Sequence, residues 1–408
     1  MGLSAIALAL PGRDGRGVHD NSIVVIALVC ASAFQFSVLL TDKPALYLSD
    51  ASPAGLQSFQ QGVAAAAVLT GVSAGRLSKA GRMACVAALL LVYFALGVWL
   101  IRASPNPHID VFVFQRDAVD QLLQGKNPYR FPSANIYGSD DAYGPGMSVD
   151  GQLKFGFPYP PLNFLLGIPG AALAGDPRYS QLLALTITGA CMAAASWSRV
   201  GSLVAALYLF TPRSFFMLEQ AWTESYAVFL LVLLMWSTLH WAKLTPWLLG
   251  LVLTVKQYLA LLFPLAWLLV PRTRPRGPAL IGFGLRVALS GAVLLVWFAL
   301  LKPLAFWRSV VLVHSLQPFR PDSFSYPALW VHEGSEIPNA AWGFVAASLA
   351  IVLALWRAPR TAAGFAGALG LSVLCFFAYG KQAFSNYYFF VIGAVCSALA
   401  FSVRAARD

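Results

Sequence analysis

Apolar residues run along this chain in long blocks separated by short polar breaks. Many blocks approach the roughly 20 residues that carry an α-helix across a bilayer. They predict spans near 22–40, 57–75, 83–101, 179–196, 200–216, 225–241, 244–256, 258–271, 280–300, 337–356, 361–379 and 386–403. Both termini then lie on one side of an all-α polytopic membrane protein of about twelve transmembrane helices. Two long loops, 102–178 and 301–336, interrupt the series on the other side. Residues 160–174 are apolar but short and broken by Pro and Gly. They fit an interfacial or re-entrant helix better than a span. Ahead of them, Phe112, Val119, Leu122 and Leu123 fall on one face at helical spacing. This predicts an amphipathic helix over 110–124 lying on the membrane, ended by Gly125 and turned by Asn127-Pro128.

Composition agrees with the pattern. Hydrophobic residues make up 58% of the 408 and charged residues 11%, with a mean hydropathy of +0.68. A soluble domain of this size has no means of hiding so much apolar surface. The net charge of +11 raises the possibility of nucleic acid, but the basic residues sit in short clusters between apolar blocks. That distribution orients a membrane protein and does not form a polyanion site. Cys30, Cys85, Cys191, Cys375 and Cys396 all fall inside apolar blocks, without metal-like spacing or a disulfide framework. Leu3–Leu10 is apolar but lacks a basic lead-in, so residues 1–20 read as a cytoplasmic tail and not as a signal peptide.

Charge fixes the orientation. With the N-terminus in the cytoplasm, the inner segments hold Arg13, Arg16, Arg76, Lys79, Arg82, Arg199, Lys243, Arg272, Arg274, Arg276, Arg357, Arg360, Arg404 and Arg407. Their only acids are Asp14, Asp20 and Asp408. Lys and Arg in short loops mark the cytoplasmic side. Counting 160–174 as a span would turn Arg272, Arg274 and Arg276 outward. The chain divides into residues 1–82, a tail with two helices; 83–403, a transmembrane domain that carries both long loops; and 404–408, a second tail.

Reactive side chains gather on the outer side. Asp110 follows the third span closely and so lies near the interface. Lys256, His314, Arg320 and Lys381 come from separate outer turns and offer positive charge for a phosphate at the membrane surface. A carboxylate beside such cations stays ionised, its pKa lowered, and accepts a proton. Tyr129, Tyr159, Glu224, Gln257, Asp322, Asn386 and Tyr387 project to the same side and are candidates for substrate contact. Asp140-Asp141 is a second acidic pair. No glycine-rich nucleotide loop and no metal-ligand spacing occur, so neither cofactor nor metal is expected.

One family pattern matches in order and sidedness. Asp110, Val113-Phe114, Leu123, Gly125 and Asn127-Pro128-Tyr129, followed by Tyr159-Pro160-Pro161-Leu162, resemble the first outer loop of glycosyltransferase family 87, within the GT-C superfamily. Gln220-Ala221-Trp222-Thr223-Glu224, Val255-Lys256-Gln257-Tyr258 and the stretch from Pro318 to Ser325 are similar to its downstream segments. The resemblance covers about residues 83–403. Phe114 stands where the family has tyrosine, and two spans precede the third as an N-terminal extension. The resemblance implies an inverting transfer of a sugar, often mannose, from a polyprenyl-phosphate donor to a lipid or glycan acceptor. It places the reaction on the periplasmic face of a bacterial plasma membrane, with membrane lipids and no nucleic acid as partners. Asp110 matches the acid taken as general base; Lys256, His314, Arg320 and Lys381 would hold the lipid phosphate. A transporter or lipid flippase, a lipid-linked glycan ligase or polymerase, and a purely structural role are the competing readings.

Overall fold

The computed structural model describes residues 22–49, 53–139, 142–271 and 276–402, with backbone alone at 53, 54 and 276. Arg13, Asp14, Arg16, Asp20, Asp140, Asp141, Arg272, Arg274, Arg404, Arg407, Asp408 and the side chain of Arg276 lie outside the described residues.

The described chain is all-α apart from one short hairpin, Ser148–Val149 paired with Gln152–Leu153. Four helices are long and apolar enough to cross a membrane: Ser22–Thr41, Lys79–Ala103, Gly277–Leu301 and Ser385–Ser402. The pair Arg199–Leu209 and Pro212–Glu219, bent by 47°, adds a fifth if it counts as one span. Glu224–His240, Ala341–Arg357 and Ala362–Ala378 have 17 residues each. At 1.5 Å per residue each is about 26 Å long, just short of a hydrocarbon core of roughly 30 Å. The chain is thus an all-α protein with membrane-spanning helices; the full set of twelve is not shown.

Two expected spans differ from the structure. Residues 244–256 hold only a ten-residue α-helix, Thr245–Thr254. Residues 258–271 hold a four-residue helix, Gln257–Ala260, and a 3-10 segment, Phe263–Leu269. Apolar composition alone cannot distinguish a continuous α-helix from this broken one. Pro264 removes a backbone donor within the segment, and Lys256 adopts an extended backbone with φ −138° and ψ 142°.

Helices 178–194, 199–209, 224–240 and 385–402 pack into the main core. Thr245–Thr254 lies tightly on Arg276–Leu301, because Gly250 meets the Val287 carbonyl where a Cβ would not fit. The first long loop has a core of its own. Phe114, Val119, Tyr129, Tyr143, Phe155 and Phe157 bury together with Phe164, and Phe298, Val310 and Val313 join them from the region of the second loop. The two long loops therefore share one apolar interior and hold each other in place.

The amphipathic helix is present as Asp110–Leu123. Phe112 and Val119 are buried, Leu122 is half-buried and Leu123 is exposed. The helix packs on Leu162–Ala174, a 13-residue helix of about 20 Å, too short to cross a membrane. A fully buried arginine fixes this layer. Arg178 pairs with Asp176 at 2.6 Å, donates to Ser104 O at 2.8 Å and lies 4.5 Å from the Phe112 ring centroid. It thereby ties the end of Lys79–Ala103 to the amphipathic helix and to the start of Arg178–Ala194.

Candidate active site

Asp110 is the first residue of its helix and is half-buried. The Tyr143 hydroxyl donates to Asp110 Oδ2 at 3.1 Å. The Asp110 amide donates to the Tyr137 hydroxyl at 3.3 Å. Burial pushes the carboxyl above its ordinary range, while hydrogen bonds from Tyr143, the Val111 amide and Tyr137, and the charge of Arg320, pull it back. The expectation of a lowered pKa is thus reversed: removal from water outweighs the cations. A raised pKa makes the carboxylate a stronger base once it is ionised.

Lys256 sits where a helix breaks. Asn163 Nδ2 donates to the Val255 carbonyl at 2.7 Å, satisfying an acceptor that the break releases. The extended backbone sends the Lys256 side chain inward, 4% exposed, to Glu224 Oε1 at 3.0 Å; Glu224 is 0% exposed. Its ammonium also lies 4.2 Å from the Tyr159 ring centroid. Beyond the ion pair, neither Glu224 oxygen has an aligned hydrogen-bond partner among the described residues, and the Tyr258 hydroxyl approaches Glu224 without aligning to it. Such unfilled capacity is costly in a protein interior unless something occupies it.

Tyr159 joins these two centres. Its hydroxyl lies within charge range of Asp110, Glu224, Tyr387 and Tyr143. Tyr387 lies within range of both carboxylates and has Asn386 as a hydrogen-bond partner. Tyr387 also stacks on Phe377 at 3.6 Å and meets Tyr258 at 5.8 Å. Asp110, Tyr159, Glu224, Lys256, Asn386 and Tyr387, distant in sequence, therefore converge.

The remaining candidates have other roles. His314 Nε2 lies 2.7 Å from the Pro158 carbonyl and 2.9 Å from Gln257 Nε2. Gln257 Nε2 donates to the Pro158 and Val310 carbonyls. Burial pushes the His314 imidazole below its ordinary range, and the charges of Lys256 and Lys381 add to this against the hydrogen bonds that oppose it. The shift favours the neutral imidazole over a cation that would hold a phosphate. Together His314 and Gln257 pin the turn that presents Tyr159.

Arg320 donates to Asp322 through Nε at 2.8 Å and Nη2 at 2.7 Å, so Asp322 is the arginine's partner before it is any ligand's. Lys381 Nζ donates to the Ser315 carbonyl at 3.1 Å and the Gln317 carbonyl at 2.6 Å. Tyr129 is 1% exposed and donates its hydroxyl to the Tyr159 carbonyl at 2.8 Å. It supports the site from behind and does not line it.

Tyr137 and Arg178 stand in no motif of the sequence that marks them. Tyr143 carried one available signal, its place beside Gly144-Pro145-Gly146, a turn that fixes a side chain. Among the described residues no group of His, Cys, Asp and Glu converges as a metal site. Comparison with protein-family models, with curated proteins and with solved structures finds no match for this chain.

Proposed function

We propose that the chain is a membrane glycosyltransferase of the GT-C type, resembling family 87, that moves a sugar from a polyprenyl-phosphate donor to a hydroxyl of a lipid or glycan acceptor. The observation that carries the reading is the convergence of one half-buried carboxylate with a buried lysine across an aromatic wall: Asp110, Tyr159 and Lys256. In this reading Asp110 removes the proton of the acceptor hydroxyl. The acceptor oxygen forms a bond to the anomeric carbon with inversion. The bond from that carbon to the phosphate oxygen breaks, and the lipid phosphate leaves with the electron pair. Lys256 is placed to stabilise that developing charge. Burial raises the carboxyl pKa and so makes Asp110 a stronger base than a solvated carboxylate.

A membrane-embedded site without a nucleotide loop suits a donor already anchored in the bilayer. The helix order and basic-residue distribution support an outer, periplasmic placement in a bacterial plasma membrane. The broken helix at Lys256 is the one feature that favours a transporter, since discontinuous helices with buried charge line substrate paths.

The test offers purified, reconstituted protein a panel of polyprenyl-phosphate sugars — mannose, arabinose, glucose and galactose — and reads the products by mass spectrometry. One sugar appearing on an acceptor, with release of lipid phosphate, is the expected result. Vectorial movement of lipid across the vesicle without bond cleavage would replace this reading with the transporter.

A further inference from the structure

The contacts around Asp110 extend into the second outer loop. Lys381 Nζ holds the Ser315 and Gln317 carbonyls, which bracket Leu316. The Leu316 carbonyl lies against Gly144, where an added Cβ would stand 3.0 Å from that oxygen. Gly144 has φ +105°, a conformation that side-chain-bearing residues rarely adopt. The residue before it is Tyr143, 2% exposed. Its ring packs on Phe155 at 5.8 Å and stacks on Tyr137 at 6.1 Å, and its hydroxyl reaches Asp110.

We propose that Lys381, the Leu316–Gly144 contact and Tyr143 form a positioning relay that orients the Asp110 carboxylate and couples the second outer loop to it. Lys381 is then a positioning residue and not a phosphate ligand, since its bonds run to the backbone that seats Tyr143. The relay rests on the reading of Asp110 as the base. The groups that face or electrostatically reach Asp110 are Tyr137, Tyr143, the Val111 amide, Arg320, Tyr159 and Tyr387. Among these, Tyr143 is the one held in place from the second loop through Gly144.

Tyr143→Phe removes one hydroxyl and keeps the ring. That hydroxyl donates to the ionised carboxylate, so its loss favours the protonated form. The readout is the infrared carbonyl band of protonated Asp110 in the full-length, reconstituted protein, assigned by its absence in Asp110→Asn. In Tyr143→Phe the band should titrate at higher pH than in wild type. Lys381→Met should shift it the same way by less, and Lys381→Arg should restore it. The double variant Tyr143→Phe/Lys381→Met should shift no further than Tyr143→Phe alone. If Lys381→Met does not fold, Gly144→Ala perturbs the same joint and should give the same non-additive shift. An unmoved band in Tyr143→Phe, or fully additive shifts in the double variant, overturns the relay. The titration needs no turnover, so a wild type that transfers no sugar would remove the functional reading and leave this result standing. In the transfer assay, Tyr143→Phe should lower kcat about tenfold with KM within about twofold. A raised KM with intact kcat would make Tyr143 a substrate contact and also overturn the relay.

Discussion

Arg178 lies against the amphipathic helix that Asp110 begins, yet the surroundings of the two differ in kind. Arg178 is fully buried, and its guanidinium is met by a carboxylate, two backbone carbonyls and the Phe112 ring. Asp110 is only half-buried, and across Tyr159 from it stands Glu224, whose ion pair with Lys256 leaves the carboxylate without an aligned hydrogen bond among the described residues. Saturation marks a structural joint; unfilled hydrogen-bonding capacity marks a place built to receive something. Both regions are polar and buried, and the distinction lies in whether each group has already found its partner.

The strongest way to break this comparison is to remove Arg178. Arg178→Ala leaves Asp176 and two carbonyls without their donor, and the loss of a buried pair typically destabilises by about 3–5 kcal/mol. The expected outcome is a large drop in thermal midpoint in detergent, with any surviving protein keeping its pH–rate profile. A stable variant with an altered profile would place Arg178 in the site instead of beneath it.

Lys256→Met comes next. It strands Glu224 as a buried charge and removes the cation beside Tyr159, so both stability and transfer should fall, by a similar magnitude in stability. Pairing it with Glu224→Gln should recover most of the stability and none of the transfer rate. Recovery of both would show that the ion pair serves the fold alone.

The pH profile is a milder test. Transfer should rise as Asp110 loses its proton and fall as pH drops through its pKa. Burial raises that pKa, so the acid limb should lie above the ordinary carboxylate value of about 3.9. An acid limb at or below that value would contradict the desolvated environment. The smallest effect is expected at His314. Because burial favours its neutral imidazole, His314→Asn should change the donor KM by less than about threefold between about pH 6 and 8. A loss of donor affinity relative to wild type that deepens as pH falls would mean that His314 carries charge after all.

These regions also differ in how far the sequence revealed them. The amphipathic helix was legible because Phe112, Val119 and Leu122 repeat at helical spacing. The short helix before Pro177 was legible because its apolar block is short and ends at Gly175, which takes the left-handed cap. Lys256 stood out as a charge between apolar blocks. Its partner did not, because Glu224 lies 32 residues away in sequence and only packing unites them. Asp176 and Arg178 are two residues apart, but the complete burial of the arginine against Ser104 and Phe112 comes only from packing. Hydropathy also joined 258–271 into one span, because it carries no information about a 3-10 segment. Arg320 was read as an available cation because a partner two residues on, Asp322, is invisible to a pattern that counts charge without geometry.

The central claim is that Asp110 is the base. The most direct measurement is single-turnover transfer by Asp110→Asn, made beside donor binding on the same preparation. The account predicts donor affinity within about threefold of wild type and a transfer rate lower by about 10²–10⁴-fold, the range for a removed general base. Transfer at the wild-type rate with binding intact would contradict it.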